Sequence, residues 1–288
     1  DDVTPSPLVT EEQQTELNQA EKASSENARK TEMGKVIANY LETVVKPTYA
    51  DLASKADILY QACQNLYQKR KAGKLTQGDI DVACDAFKNA RRDWEQSEAF
   101  LYGAATDNEI DPHIDSWPLD HSQLSQALND AAVIAGINGE NPTKYVYDNN
   151  GKFDSVLGFH GLEFVLFRNG QNRTIAAFNA EKETETGLTS VKTIDEAAFA
   201  AAVSGDLRNM TYLLEYGWLG ISTPLSHQKQ LADAMWVING TRHQGLSPKK
   251  LPYRDYLRYT TTEQGWFPTW HEVLQNVFVG GCSNICEE

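Results

Sequence analysis

Val156-Leu157-Gly158-Phe159-His160-Gly161-Leu162-Glu163-Phe164-Val165-Leu166-Phe167 is an almost wholly apolar run with one imidazole and one carboxylate at its middle. At 3.6 residues per turn, His160 and Glu163 lie one turn apart on one side of a helix, close enough to hold a single ligand. The apolar residues fall on every face. The pattern therefore predicts a helix over 153–167 that is enclosed by other helices and is the most buried element of the fold. Burying an unpaired carboxylate is costly, so Glu163 is expected to have a cation, a hydrogen-bond donor or a metal beside it. Imidazole nitrogen and carboxylate oxygen together suit iron or zinc, and H-x-x-E inside a bundle has the shape of half a metal site. The same spacing also fits a helix whose histidine is a satisfied core residue, and the pair alone is compatible with both readings.

The preceding helix carries a second polar intrusion. Ile80, Cys84, Phe87, Arg91, Trp94, Glu98 and Leu101 recur at alternating steps of four and three, which places two charged residues in an otherwise inward-facing seam. A seam that served packing alone would be apolar at positions 91 and 98. Arg91 and Glu98 are readable as a buried salt-bridged arrangement, or as charges that snorkel at a bundle end. They are equally readable as part of a pocket, with Glu95 and Glu98 facing His160 and Glu163 while Arg91 orients a carboxylate or an anionic ligand.

Outward from these two helices the chain stays helical in pattern. Residues 1–30 are polar and read as a flexible tether with a frayed helix over 11–22. Val36, Tyr40, Val44, Leu52, Leu59, Cys63 and Leu66 keep helical spacing, with a kink expected at Pro47 and a stop at Gly73. Thr76-Gln77-Gly78-Asp79 is a capping signal for the next helix. A loop is expected over 107–121, one amphipathic helix over 122–135, a loop over 136–151 and a polar connection over 168–193. Further helices are expected over 193–200, 207–219 and 228–238, and from 269 onward. The 107–121 loop holds Asp111, His113, Asp115, Asp120 and His121, which is ligand chemistry and also ordinary turn chemistry. His227, His243 and His271 have no carboxylate at a ligating spacing and read as surface or core histidines. Alternating Val/Ile/Thr runs with strand-turn-strand punctuation are missing, so the fold class is all-α. Its expected organisation is the 1–30 tether, a first helical bundle over 31–170 and a second over 190–288.

Composition narrows the function. The 288-residue chain has a formal charge of -14, with 40 acidic against 26 basic residues, so nucleic acid would be repelled. No apolar run reaches the roughly 18 residues of a membrane span. Cys63 and Cys84 flank the hairpin at Gly73-Lys74 and are readable as a disulfide across two helices or as two core thiols. Cys282 and Cys286 are one turn apart without a second cysteine pair, so a structural zinc site is not expected there.

Gly158-x-His160-x-x-Glu163, followed by Phe164-Val165-Leu166-Phe167, resembles the G-x-H-x-x-E signature of the imelysin family, also called the M75 peptidase family. Ala90-Arg91-Arg92-Asp93-Trp94-Glu95-Gln96-Ser97-Glu98 resembles its Ala-Arg segment ending in aromatic-Glu-x-x-Glu. Ile114-Asp115-Ser116-Trp117-Pro118 resembles its Asp-x-Trp-Pro turn, and Gly281-Cys282-Ser283-Asn284-Ile285-Cys286 the start of its late Gly-Cys segment. The resemblance implies two helical bundles related by internal duplication. It implies a site for iron or another divalent or ferric ion at His160, Glu163, Glu98 and Glu95, supported by Arg91, Trp94, Asp115, Trp117 and Gly158. It also implies a cell-envelope location, periplasmic or on the outer surface, for a signal-processed or lipid-anchored protein with an iron-transport partner. The start at Asp1 fits removal of a leader, and the end at Glu288 is expected to leave the second bundle incomplete.

Three functions remain open on these grounds. The first is an iron-uptake protein that binds a metal ion or a metal-bearing small ligand at the H-x-x-E site. The second is a metallopeptidase of the M75 type, although the chain has no H-E-x-x-H run, G-x-S-x-G elbow or P-loop, so such an enzyme would need groups recruited from elsewhere. The third is a structural or interaction protein whose polar residues form a buried network.

Overall fold

The computed structural model describes residues 11–30, 32–234, 251–258, 272 and 274–279. In chain order its helices are α1 Glu11–Lys30, α2 Glu32–Tyr40, α3 Lys46–Lys71, α4 Gln77–Ser97, α5 Ala104–Asp107, α6 Ile110–Ile114, α7 His121–Asn129, α8 Ala131–Ile137, α9 Pro142–Asp148 and α10 Gly158–Leu166. A two-stranded hairpin follows, β1 Phe167–Arg168 and β2 Gln171–Asn172, and then α11 Ile175–Asn179, α12 Thr193–Leu219, α13 Leu225–Asp233 and α14 Tyr253–Arg258. That hairpin is the sole sheet among the described residues, so the fold is all-α. Its turn, Asn169-Gly170, has positive φ at both residues, the conformation a two-residue hairpin requires.

Local chemistry accounts for the boundaries. Gly73, at φ +68, ends α3 with Lys74 N–H bonded to the Lys69 carbonyl at 2.8 Å. Thr76 and Asp79 cap α4 reciprocally: the Thr76 N–H donates to Asp79 Oδ2 at 2.9 Å, and the Asp79 N–H donates to Thr76 Oγ1 at 3.3 Å. Ahead of Pro47 the chain runs through a wide π turn, Leu41–Val45, so the missing proline N–H is absorbed without ending the helical path. Asp130 divides the helix expected over 122–135 into α7 and α8, because its carboxylate accepts from the Ala132 N–H at 2.8 Å and starts a new helix. The loop expected over 136–151 contains α9, capped by Asn141 with Pro142 in the first turn.

The described chain divides into two compact units. The first comprises Asp1–Leu52, Asp93–Ile110 and Thr211–Glu288, the second Ala53–Arg92 and Asp111–Met210. Each unit is assembled from separate stretches of the chain. In the first unit an aromatic core gathers Tyr49, Phe100 and Trp218, with ring centroids 5.3 Å apart for Tyr49–Phe100 and 5.9 Å for Tyr49–Trp218. The stretch expected to be a tether contains α1, which packs on α2 and α14 and buries Ala20.

In the second unit α10 is shorter than the helix expected over 153–167 and is not the most buried element. That place belongs to residues 193–210 of α12, one continuous helix where two were expected, in which every residue except Ile194, Asp195 and Arg208 is buried. Phe159, Leu162, Val165 and Leu166 of α10 are buried, whereas His160, Phe164 and Phe167 are half-buried and Glu163 is exposed. His160, Glu163 and Phe164 form a stripe at helical spacing, so one face of α10 is open and Glu163 is not the enclosed carboxylate that the apolar surroundings predicted. The polar connection expected over 168–193 also holds more than turns. Arg173 donates to Glu183 at 2.9 Å and Glu196 at 2.7 Å, and all three side chains are wholly buried. Arg168 joins both carboxylates and Glu185. Burial pushes the Glu196 carboxyl up to about 7, against the pull of Arg173. For Glu183 burial also raises, but the Glu185 N–H and Arg168 outweigh it and hold that carboxyl below its usual value.

Cys63 and Cys84 are buried free thiols. Cys282, Cys286, His243 and His271 lie outside the described residues, as does position 269. Replacing Arg173 by Met would strip two buried carboxylates of the wholly buried one of their two shared cations. It is expected to cost about 3–5 kcal/mol in urea unfolding, far more than Lys144→Met, whose ion pair with Asp148 is exposed.

Candidate functional site

The residues that meet around His160 come from three places in the second unit: α4, the α6–α7 connection and α10. His160 Nε2 donates to Asp115 Oδ1 at 3.0 Å, and its Nδ1 donates to Glu163 Oε2 at 3.2 Å. The Arg91 guanidinium donates to the same Asp115 oxygen and lies over the Phe159 ring, 5.2 Å from its centroid. Trp117 places its ring 4.7 Å from the imidazole, tilted by 48°. Asp115 is nearly enclosed, with 6% of its side chain exposed, while Glu163 keeps 54% in solvent. The site is therefore graded from a buried carboxylate, through an imidazole, to a solvated carboxylate.

Gly158 is the residue that permits this meeting. Its φ of +68 is one that L side chains rarely adopt, and a Cβ there would lie 1.9 Å from the Ile114 carbonyl oxygen. Backbone touches backbone at this point, so α6 stops directly against the start of α10 and the next residue, Asp115, is delivered to His160. The other end of the connection is tied down as well. Gln123 donates to Asp154 at 2.5 Å and accepts from the Ser155 N–H at 2.9 Å, while Asp120 caps α7 through the Gln123 N–H.

At the far end of α10 the carbonyls left without partners by the end of the helix are taken up by arginines. Arg173 donates to the Val165 carbonyl at 3.2 Å, and Arg168 donates to those of Phe164 and Phe167. The buried arginine–glutamate network thus clamps the C-terminal end of the site helix.

The electrostatics follow from these contacts. The hydrogen bond to Asp115, with a second to Glu163, raises the His160 imidazole from 6.5 to about 9, so it is an imidazolium at neutral pH. Glu163 is held below its usual value, first by the hydrogen bond from His160.

Of the residues singled out in sequence, Arg91, Asp115, Trp117, Gly158, His160 and Glu163 come together in the second unit. Trp94, Glu95 and Glu98 fall in the first unit, with Trp94 and Glu98 buried and Glu95 half-buried. Two histidine pairs escaped sequence reading because their partners are distant in the chain. His113 lies 2.7 Å from Asp206 inside the second unit. In the first unit His227, read as unpaired, bonds Glu215 at 2.6 Å and stacks on Tyr212 with centroids 4.0 Å apart.

The all-α fold and its imidazole–carboxylate site define a helical protein of the G-x-H-x-x-E class. The sequence profile of the imelysin (M75 peptidase) family matches residues 45–246, most of the chain, and the chain belongs to that family. Iron-regulated protein A of Synechococcus elongatus is 33% identical over 131 residues, which are 46% of this chain and 31% of that relative, so the likeness spans about a third of the curated protein. A crystal structure described as an iron-regulated protein A precursor from Parabacteroides distasonis aligns over 81% of this chain and 56% of the other. Its TM-score is 0.51 at 24% identity, a likeness in fold.

Gly158→Ala is expected to destabilise the protein by about 2 kcal/mol or more, since it combines a positive φ with a backbone clash. Calorimetric melting beside Gly151→Ala, where a Cβ meets nothing, checks this. The His160 ring is expected to titrate near 9 by NMR and to fall back toward 6.5 in Asp115→Asn. Because the folded value is the higher one, the ion-pair contribution to stability is complete below pH 6.5 and is lost as pH rises through 9.

Proposed function

We propose that this protein serves iron uptake by binding a metal ion, or a small ligand that carries one, at Asp115, His160 and Glu163. The observation that supports this most is that the His160 imidazole stands between two carboxylates, Asp115 at its Nε2 at 3.0 Å and Glu163 at its Nδ1 at 3.2 Å. Either ring nitrogen with the carboxylate beside it offers a nitrogen and an oxygen donor of the kind iron, manganese and zinc accept, while the other carboxylate holds the opposite ring nitrogen. The relatives' names, iron-regulated protein A, favour iron among them. The metal is cargo in this reading.

The side chains divide the work by their exposure. Asp115 is the fixed donor, because Arg91 and His160 hold it from two sides. Glu163, the solvated member, is free to turn toward an arriving cation and away again. His160 must give up one proton to ligate, so binding is expected to weaken as pH falls. Arg91 keeps Asp115 ionised and in place. Glu98 and Glu95 remain proposed as further carboxylate donors, as the family resemblance implies.

A cell-envelope location, periplasmic or lipid-anchored, belongs to the same proposal and is supported by the precursor description of the structural relative. No helix among the described residues is long and apolar enough to cross a membrane.

Titration calorimetry of metal-free protein with ferrous, zinc and manganese ions tests the reading. The wild type is expected to bind at least one of them more tightly than about millimolar, with Asp115→Asn and His160→Ala each weaker by about ten- to a hundredfold and Glu163→Gln by less. Equal binding by all four proteins would remove the site.

A further inference from the structure

Three successive residues at the end of α6 each meet a different part of the second unit. His113 Nε2 lies 2.7 Å from Asp206 Oδ2 on α12, and both side chains are buried. The Ile114 carbonyl stands against the Gly158 backbone at the start of α10. Asp115 is bonded by His160 and Arg91. The Asp115 N–H still donates to the Asp111 carbonyl at 2.9 Å, so this residue continues the helical path of α6. At 3.6 residues per turn, positions 113 and 115 point about 200° apart, to opposite sides of that path. One side is fixed to the core helix, and the other carries the enclosed carboxylate of the site.

α6 cannot hold this orientation alone. It has five residues, well short of the roughly 12 at which an isolated helix becomes even marginal in water, so tertiary contacts must fix it. The Ile114–Gly158 approach limits how near α6 comes to α10, but a contact between backbones leaves α6 able to turn about its own axis. A hydrogen bond from a ring nitrogen to one carboxylate oxygen is directional and stops that turning. The other oxygen of the same carboxylate, Asp206 Oδ1, is buried without a hydrogen-bond partner, so the carboxylate is committed to His113. An apolar pair of similar size would hold the two helices together about as firmly, so stability alone does not account for the polarity of this contact.

The same core helix grips α10. Glu196 bonds Arg173, which donates to the Val165 carbonyl, and the Phe199 ring stands against Gly161, where an added Cβ would lie 3.4 Å from Phe199 Cε1. Asp206 follows Glu196 at roughly 15 Å along α12. Both elements that carry site donors are thus referred to one rigid helix. We infer that His113 and Asp206 are positioning residues of the site: their buried bond sets the rotation of α6 and with it the direction from which Asp115 meets His160 and a bound cation. This inference rests on the metal-handling reading above and deepens it, since both residues act through Asp115.

The test keeps the packing and removes the direction. In His113→Leu/Asp206→Val an apolar pair replaces the hydrogen bond, and urea unfolding is expected to show a stability close to that of the wild type. The ring-nitrogen NMR shifts of His160 at neutral pH are nevertheless expected to move toward those of Asp115→Asn. Affinity for ferrous, zinc or manganese ion is expected to fall about tenfold. Asp206→Asn, whose amide oxygen still accepts from His113, is expected to keep the wild-type shifts and affinity. Leu66→Ala truncates a buried side chain of α3 and is expected to lower stability while leaving the shifts in place. Should the apolar pair unfold the protein, Asp206→Ser, which leaves room for a water beside His113, carries the same comparison. Unchanged shifts, unchanged affinity where the wild type binds an ion, or an equal displacement in Leu66→Ala or Asp206→Asn would each overturn the inference. If the shifts move as expected and no protein binds any of the three ions, the metal-handling reading falls and the positioning of Asp115 stands.

Discussion

The contact between Gly158 and the Ile114 carbonyl is the constraint on which the site depends. A missing Cβ brings two backbones together, and the cost is a residue at positive φ beginning a helix. In exchange, Asp115 emerges from the end of α6 against the first turn of α10, where His160 is two residues further along. Neither residue needs a long or flexible side chain to reach the other. A carboxylate fixed this way loses little rotamer entropy when it engages its partner, which favours a short charge-assisted bond over a loose surface pair.

The opposite end of α10 is held by different physics. Helix ends leave carbonyls unsatisfied, and here the donors are Arg168 and Arg173, whose own charges must be balanced because they are removed from water. Glu183 and Glu196 supply that balance, and Glu196 sits on the deeply buried α12. The chain of dependence therefore runs from the core helix through two ion pairs to the carbonyls of the site helix. Each member would be costly alone, and together they fix where α10 ends and where its open stripe points.

The sequence disclosed the fold class and the motif but not the burial. Helical periodicity over 36–101, the stop at Gly73 and the Thr76–Asp79 cap are local signals, and the structure carries each of them. Gly158, His160 and Glu163 were legible because the G-x-H-x-x-E order is local too. Asp115 was placed behind Glu98 and Glu95, since its access to His160 is created by the α6–α10 backbone contact and leaves no spacing to read. The Arg168–Arg173–Glu183–Glu196 network was invisible for the same reason. Arg168, Arg173 and Glu183 sit in a stretch whose Asn-Gly, Glu and Lys content reads as a solvated connection, and only tertiary packing shows that these three charges turn inward to meet Glu196 of α12. His113 with Asp206 and His227 with Glu215 are likewise pairs made by folding, 93 and 12 residues apart in sequence.

The expectation that Glu163 would be enclosed failed because it assumed that an apolar run of twelve residues is buried all round. The helix instead keeps one stripe, His160, Glu163 and Phe164, open while the rest of its residues are buried. That difference decides what the polar groups can do. Arginine and glutamate occur in both of the second unit's charged clusters, yet Arg173, Glu183 and Glu196 are wholly buried, where a broken pair leaves a charge stranded in a medium of low dielectric. Such a cluster acts as a lock. At Glu163, half in water, a lost ion pair is replaced by hydration, and exposed pairs are worth only about 0–1 kcal/mol. A ligand can therefore exchange with Glu163 cheaply while Asp115, clamped by Arg91, stays where it is. The open stripe turns a set of residues that would otherwise be one more structural network into a place where something can arrive and leave.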